Sequence, residues 1–273
     1  MNNHVPRLAR KSAVVCAALA AVLVLVLAFT ARARAVMRPE PATARAIDGH
    51  DRTGRSDGLR SKYSSTPIAL HDAQGSILAF PPLPGATKPL TVVYLHGIHG
   101  RAENGCPWLH EGASEIGWLV CPSGNEHLAN DTYSWGGSVA DQRAVVARAE
   151  RAAQAEGADA ASANVIVGFS QGAYVALDLV HARLGHYRGL ALIGADVEPS
   201  KAALDSAGVT RIVLAAGALD ASFGPLQRAA ARLRREGVDV RFVDLGRIGH
   251  SYATTDKEAL RDAIAWLGRS RSP

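Results

Sequence analysis

Residues 164–177 read NVIVGFSQGAYVAL, which sets a serine between two glycines where a β-branched run passes into an apolar, alanine-bearing one. Gly168-Phe169-Ser170-Gln171-Gly172 fits G-x-S-x-G at a strand-to-helix junction. A turn that sharp strains the serine backbone, and side chains at the flanking positions would collide with neighbouring elements. It also lifts the hydroxyl above the sheet, close to a helix N-terminus. A serine hydroxyl is a poor nucleophile until a base takes its proton. Of the ten histidines, His250 in RIGHSY follows the last strand pattern and precedes the last helix pattern, so its loop returns over the sheet top and His250 is the candidate base. His71, His110, His127, His181 and His186 fall on surface-like segments, and His96 is placed to orient the loop after its strand.

The base needs a carboxylate to fix its tautomer and stabilise the imidazolium. Asp220, in LAAGALDASFG, lies just past the run Arg211–Ala216 and completes the chain order Ser, Asp, His. Asp196, after the preceding strand, is the second candidate; Asp244 falls inside the last strand. Attack on a carbonyl also requires donors for the oxyanion, each worth roughly 3–4 kcal/mol. YLHGIHG, at Tyr94 to Gly100, supplies a glycine-loosened loop, with the Ile98 and Gln171 N–H groups as the expected pair. His99 in that loop and Tyr133 and Trp135 in GNEHLANDTYSWGG are candidate substrate-binding residues. Tyr133 and Trp135 read equally well as anchors for their loop, since aromatic bulk stabilises either role. No second and third ligand accompany His99 at a recognisable metal spacing.

These residues need elements to bring them together. Short apolar runs at Pro67 to Leu70 and Ser76 to Phe80, separated by turn residues, predict an opening hairpin. Near-continuous apolar strands follow at Leu90–Leu95, Trp118–Pro122, Asn164–Gly168, Gly189–Gly194, Arg211–Gly217 and Asp239–Leu245. Helical patterns lie around Pro107–Ile116, Val139–Glu156, Gly172–Leu184, Pro225–Glu236 and Asp256–Leu267. In the fourth, Leu226, Ala229, Ala230 and Leu233 recur at i, i+3, i+4, i+7. Strands alternating with helices predict an α/β fold, a mostly parallel central sheet with helices on both faces. Sites in such sheets form at the carboxyl ends of the strands. Only Ala195 to Thr210 joins two of the strands, which leaves room for a short helix and no large cap domain.

LHGIHG, GFSQG, GALD and GHS together resemble the α/β-hydrolase superfamily, most closely its carboxylesterase/phospholipase/thioesterase branch, over roughly Pro67 to Leu267. The resemblance implies Ser170 as nucleophile, Asp220 and His250 as its partners, and Ile98 and Gln171 as oxyanion donors. It implies a serine esterase acting on a small-molecule acyl ester or thioester, with no metal or organic cofactor. One departure is that His99 stands where a second glycine is usual in the oxyanion loop. A peptidase or acyltransferase on the same fold, and an inert exported binding module, are the alternatives.

The formal net charge of +5 suggests nucleic acid until the charges are located. Residues 1–60 hold ten Lys/Arg against four Asp/Glu, a balance of +6; the remaining twenty and twenty-one leave −1 for residues 61–273. A near-neutral body offers no phosphate-attracting field, so no nucleic-acid partner is expected. Arg7, Arg10 and Lys11 precede an apolar run of 17 residues, Ala13 to Phe29, and the small pair Ala33 and Ala35 follows. Residues 1–35 therefore read as a secretory signal cleaved after Ala35, or as a retained anchor tethering the protein to a membrane through 13–29. Either exports the body. Residues 36–61, rich in Arg, Gly, Asp, Ala and Pro, read as a flexible linker, and 62–273 as the catalytic domain. In an oxidising compartment Cys106, expected to open a helix, and Cys121, at a strand end, are expected to form a disulfide worth roughly 3 kcal/mol. Nothing in the sequence fixes an oligomeric state.

Overall fold

The apolar runs become the middle of a sheet. In order, the elements are β1 (Ile68–Asp72), β2 (Gly75–Phe80), β3 (Leu90–Leu95), α1 (Ala102–Ser114), β4 (Gly117–Cys121), β5 (Glu126–Leu128), β6 (Thr132–Ser134), α2 (Val139–Ala155) and β7 (Asn164–Phe169). They continue as α3 (Gln171–His181), β8 (Tyr187–Ile193), α4 (Lys201–Ser206), β9 (Arg211–Ala216), α5 (Phe223–Arg235), β10 (Val240–Asp244) and α6 (Lys257–Gly268). This is a computed structural model, and it describes residues 66–72, 75–254 and 257–269. The signal or anchor read at 1–35 and the linker at 36–61 lie outside the described residues. Among the described residues no helix is long and apolar enough to cross a membrane.

Eight strands pair in the order β1-β2-β4-β3-β7-β8-β9-β10. The hairpin β1–β2 and the β2–β4 pair are antiparallel, and every pairing from β4 to β10 is parallel. Parallel central strands are covered on both faces, so they carry no polar alternation; β3, β4 and β9 are buried at every residue. Alternate side chains feed two cores. Val93, Leu95 and Ile166 pack with α2, α3 and α5, while Val92, Tyr94, Val165 and Val167 pack with α1 and α6. The stripe Leu226, Ala229, Ala230, Leu233 is the buried face of α5, as its spacing requires.

Two elements differ from the sequence expectation. Helix α1 begins at Ala102, five residues before Pro107, which sits inside it. Proline favours a helix start, but here it removes one interior N–H from a helix held by the burial of Ala102, Cys106 and Leu109. Cys106 accordingly lies a turn into the helix rather than at its opening. Within residues 124–137 the chain forms a small antiparallel hairpin, β5–β6, with strands too short to leave a sequence signal. Its tip turns through left-handed Asn130 and Asp131, with φ of 60° and 56°. Between β8 and β9 the chain forms only the short helix α4, so no cap domain is inserted at that point.

The loop after β3 is fixed by His96, whose residue is 1 % exposed. Its Nε2 accepts the Gly124 N–H at 2.9 Å, so Nδ1 carries the proton and donates to the Gly97 carbonyl at 2.7 Å. The His96 carbonyl accepts the Trp135 indole N–H at 2.9 Å. Burial pushes the ring's pKa below its usual 6.5, against weaker upward pulls from the Gly97 carbonyl and Glu103. As pH falls through about 6.5, the unfolded chain takes up this proton before the folded one does. The stabilisation is therefore full above that pH and is lost as acid approaches the lowered folded value. Thermal unfolding from pH 7 to pH 5 should destabilise the wild type more steeply than His96→Asn; parallel slopes would contradict this.

Candidate active site

Steric crowding at the β7–α3 junction comes first. A Cβ on Gly168 would strike the Gly172 carbonyl, and one on Gly172 would strike the Leu95 carbonyl and lie 2.7 Å from the His96 carbonyl oxygen. With both positions bare, the chain turns at Ser170 with φ 53° and ψ −118°, a conformation that L-residues rarely adopt. Backbone bonds hold it there: the Ser170 N–H donates to the Ile193 carbonyl at 2.9 Å, and its carbonyl accepts from Ala173 at 3.0 Å.

The three candidate residues from separate strand ends meet above this turn. His250 Nε2 lies 2.9 Å from Ser170 Oγ, and its Nδ1 lies 2.7 Å from Asp220 Oδ2. The other Asp220 oxygen accepts the Ser222 N–H at 2.8 Å and the Ser222 hydroxyl at 2.9 Å. Burial alone would raise the pKa of this carboxyl, whose side chain is 4 % exposed, but the Ser222 and His250 hydrogen bonds outweigh it and hold it below the usual carboxylate range. Nδ1–H therefore faces an ionised acceptor, leaving Nε2 to accept from the serine. The His250 loop is tied to the Asp220 loop through backbone bonds from Ala218 to Gly246 at 2.8 Å and from Leu219 to Ile248 at 3.0 Å. Asp196 and Asp244, the lesser acid candidates, are placed otherwise: Asp196 lines a cavity with Arg228, Arg232 and Arg235, and the Asp244 carboxylate accepts the Gly246 N–H.

The two expected oxyanion donors flank the serine. Gln171 is the first residue of α3, where an N–H has no intrahelical acceptor. Ile98 belongs to the loop whose Gly97 comes so close that a Cβ there would lie 3.1 Å from Ser170 Cβ. Among the described residues neither amide is engaged by a backbone acceptor outside the helices and strands. His99, in place of a second glycine, adopts a left-handed φ of 53° and is exposed, which is the conformation a glycine would take without strain.

Trp135 is not an open wall. It is 4 % exposed, stacked obliquely on His96 at 5.3 Å and bonded to its carbonyl, so it anchors the loop after β3. Tyr133 bonds through its N–H to the Gly100 carbonyl at 3.0 Å and lines two adjoining cavities of about 450 and 430 Å³ that share Ser76 and Ser123, on the β1–β2 side. Two positioning contacts carried no sequence signal. The Gln171 side-chain oxygen accepts from the Ser134 hydroxyl at 3.0 Å and the Trp135 N–H at 3.2 Å, joining the β5–β6 hairpin to the turn. The Phe169 ring packs against His250 at 5.0 Å and meets Tyr252 edge-on at 4.5 Å. Cys106 and Cys121 bring their sulfurs to bonding distance, with Cα atoms 6.1 Å apart, inside the range a disulfide requires. Among the described residues no three His, Cys, Asp or Glu side chains are grouped to hold a metal ion.

No family model matches the chain, and no curated protein matches it. Solved structures do. An uncharacterised protein from Bacillus cereus aligns with a TM-score of 0.55 at 17 % identity over 66 % of this chain, which spans 60 % of that protein's length. FphF, a fluorophosphonate-binding serine hydrolase of Staphylococcus aureus, aligns with a TM-score of 0.52 at 16 % identity, covering 75 % of this chain and 98 % of its own. The S-formylglutathione hydrolase FrmB of Staphylococcus aureus gives 0.52 at 17 % identity with the same coverage. At such identities the likeness speaks to architecture: with its eight-stranded, largely parallel sheet the chain has the α/β-hydrolase fold.

Proposed function

We propose that this chain is a serine hydrolase that cleaves carboxylic esters or thioesters through an acyl-enzyme. The observation that carries the reading is the unbroken relay Ser170 Oγ, His250 Nε2, His250 Nδ1, Asp220 Oδ2, with links of 2.9 and 2.7 Å. An inert scaffold has no need to strain Ser170 into that position.

In the first half-reaction His250 Nε2 takes the Ser170 proton as Oγ bonds to the substrate carbonyl carbon. The carbonyl electron pair moves to oxygen, and the Ile98 and Gln171 N–H groups receive that charge, each donor contributing roughly 3–4 kcal/mol in a dry site. Collapse of the tetrahedral intermediate expels the alkoxide or thiolate, which takes the proton from the imidazolium. Water then enters, gives a proton to Nε2 and adds to the acyl carbon. The second collapse releases the acid and returns the proton to Oγ. Asp220 stays ionised throughout, holding Nδ1–H and stabilising the imidazolium.

Hydrolysis of p-nitrophenyl acetate tests this. Ser170→Ala should abolish wild-type turnover, and Asp220→Asn should lower kcat by about 10³–10⁴-fold by presenting the wrong tautomer of His250. Undiminished turnover by Ser170→Ala would reject the reading.

We also propose that the domain works outside the cytoplasm with Cys106 and Cys121 joined. The apolar run at 13–29 supports export, and the proximity of the two sulfurs supports the bond. Mature protein unfolded without reductant should offer no alkylatable thiol at either position. Reduction should cost about 3 kcal/mol of stability for a loop of 15 residues. Two thiols in unreduced native material would contradict the proposal.

A further inference from the structure

Large apolar side chains are strongly exposed at four places among the described residues: Ile68 at 39 %, Tyr174 at 47 %, Ile98 at 56 % and Leu219 at 63 %. Ile68 opens the edge hairpin. The other three come from segments far apart in sequence, and each sits beside a part of the catalytic relay. Ile98 follows Gly97, the residue pressed against Ser170. Tyr174 is the fourth residue of α3, about 4.5 Å of helix rise from Gln171, the residue that follows Ser170. Leu219 precedes Asp220.

Scattered exposed apolar residues need no explanation; three that adjoin Ser170 or Asp220 on loops and a helix start at the carboxyl ends of β3, β7 and β9 do. All three are held in place. The Tyr174 hydroxyl donates to the Asp196 carbonyl at 3.2 Å, so its ring is tethered. The Leu219 N–H is bonded to Ile248 at 3.0 Å, and the turn carrying Ile98 is closed by the Gly100 N–H to the Gly97 carbonyl at 3.0 Å. With only α4 between β8 and β9, no cap domain is inserted there to shield them.

We propose that Ile98, Tyr174 and Leu219 form an apolar rim that binds the acyl group of the substrate, and that this group is an unbranched alkyl chain longer than acetyl. The inference rests on the hydrolase reading above. An acyl carbon bonded to Ser170 Oγ, with its oxygen directed at Ile98 and Gln171, leaves its chain to run over the start of α3. A two-carbon acyl group is too short to span one helical turn to Tyr174, whereas a longer chain removes apolar surface from water on both partners.

The test holds the leaving group constant and varies the acyl chain. Wild type and the double variant Tyr174→Ser/Leu219→Asn are compared on p-nitrophenyl octanoate and p-nitrophenyl acetate, with the octanoate below its micellar concentration. Wild type should prefer the octanoate in kcat/KM, and the double variant should lose about tenfold or more of that octanoate-to-acetate ratio. A ratio unchanged by the substitutions, including an equal fall on both esters, overturns the rim. So does a ratio that changes only when the substrate is presented in micelles, which would assign these side chains to a lipid surface. If wild type turns over neither ester, the hydrolase reading itself falls; if it turns over both with an unaltered ratio, only the rim does.

Discussion

Backbone crowding at one turn governs the rest of this molecule. The end of β7 and the first turn of α3 approach each other and the end of β3 so closely that Gly168 and Gly172 have no room for a Cβ. That close approach, which only bare glycines permit, lets the chain turn at Ser170 with φ 53°, where backbone bonds to Ile193 and Ala173 hold it. The strain is local and is sustained by the packed strands around it, since β3 is buried along its whole length and β7 along all but its last residue. The loops after β9 and β10 then need only rise over the same edge for an acid and an imidazole to reach the hydroxyl.

Around that turn the chain has built a set of braces. His96 ties the loop after β3 to Gly124, Trp135 ties the β5–β6 hairpin to His96, and the Gln171 side chain ties the hairpin back to the turn. Gln171 thus has two parts, its N–H at the head of α3 and its side chain against Ser134 and Trp135. Phe169 braces the other side, its ring against His250. Rotamers fixed by packing and by hydrogen bonds of this kind hold side chains in register, as the proposed acyl transfer requires.

Much of this was legible in the sequence. The strand-Ser-helix junction and the buried face of α5 follow from local rules of turn geometry and periodicity, whereas the order Ser170, Asp220, His250 rests on strand positions and on the resemblance, with Asp196 as the second acid candidate. Other features were not. Pro107 suggested a helix start, yet burial of Ala102 and Cys106 carries α1 further back. The β5–β6 hairpin has three-residue strands, too short to show a sequence pattern, and it is also joined to Gly100 through Tyr133 and to Gln171 through Ser134. Trp135 read equally as wall or anchor because aromatic bulk serves both; only the indole bond to His96 separates them. Such contacts lie between segments distant in the chain, where periodicity carries no information.

The central claim is that Ser170 is the nucleophile because His250 stands 2.9 Å from it with its other nitrogen on Asp220. The most direct measurement is covalent capture with a fluorophosphonate followed by peptide mapping. The account predicts a single adduct on the peptide bearing Ser170, formed quickly in the wild type and far more slowly in His250→Ala. An adduct on another residue, or capture at the wild-type rate without His250, would contradict it.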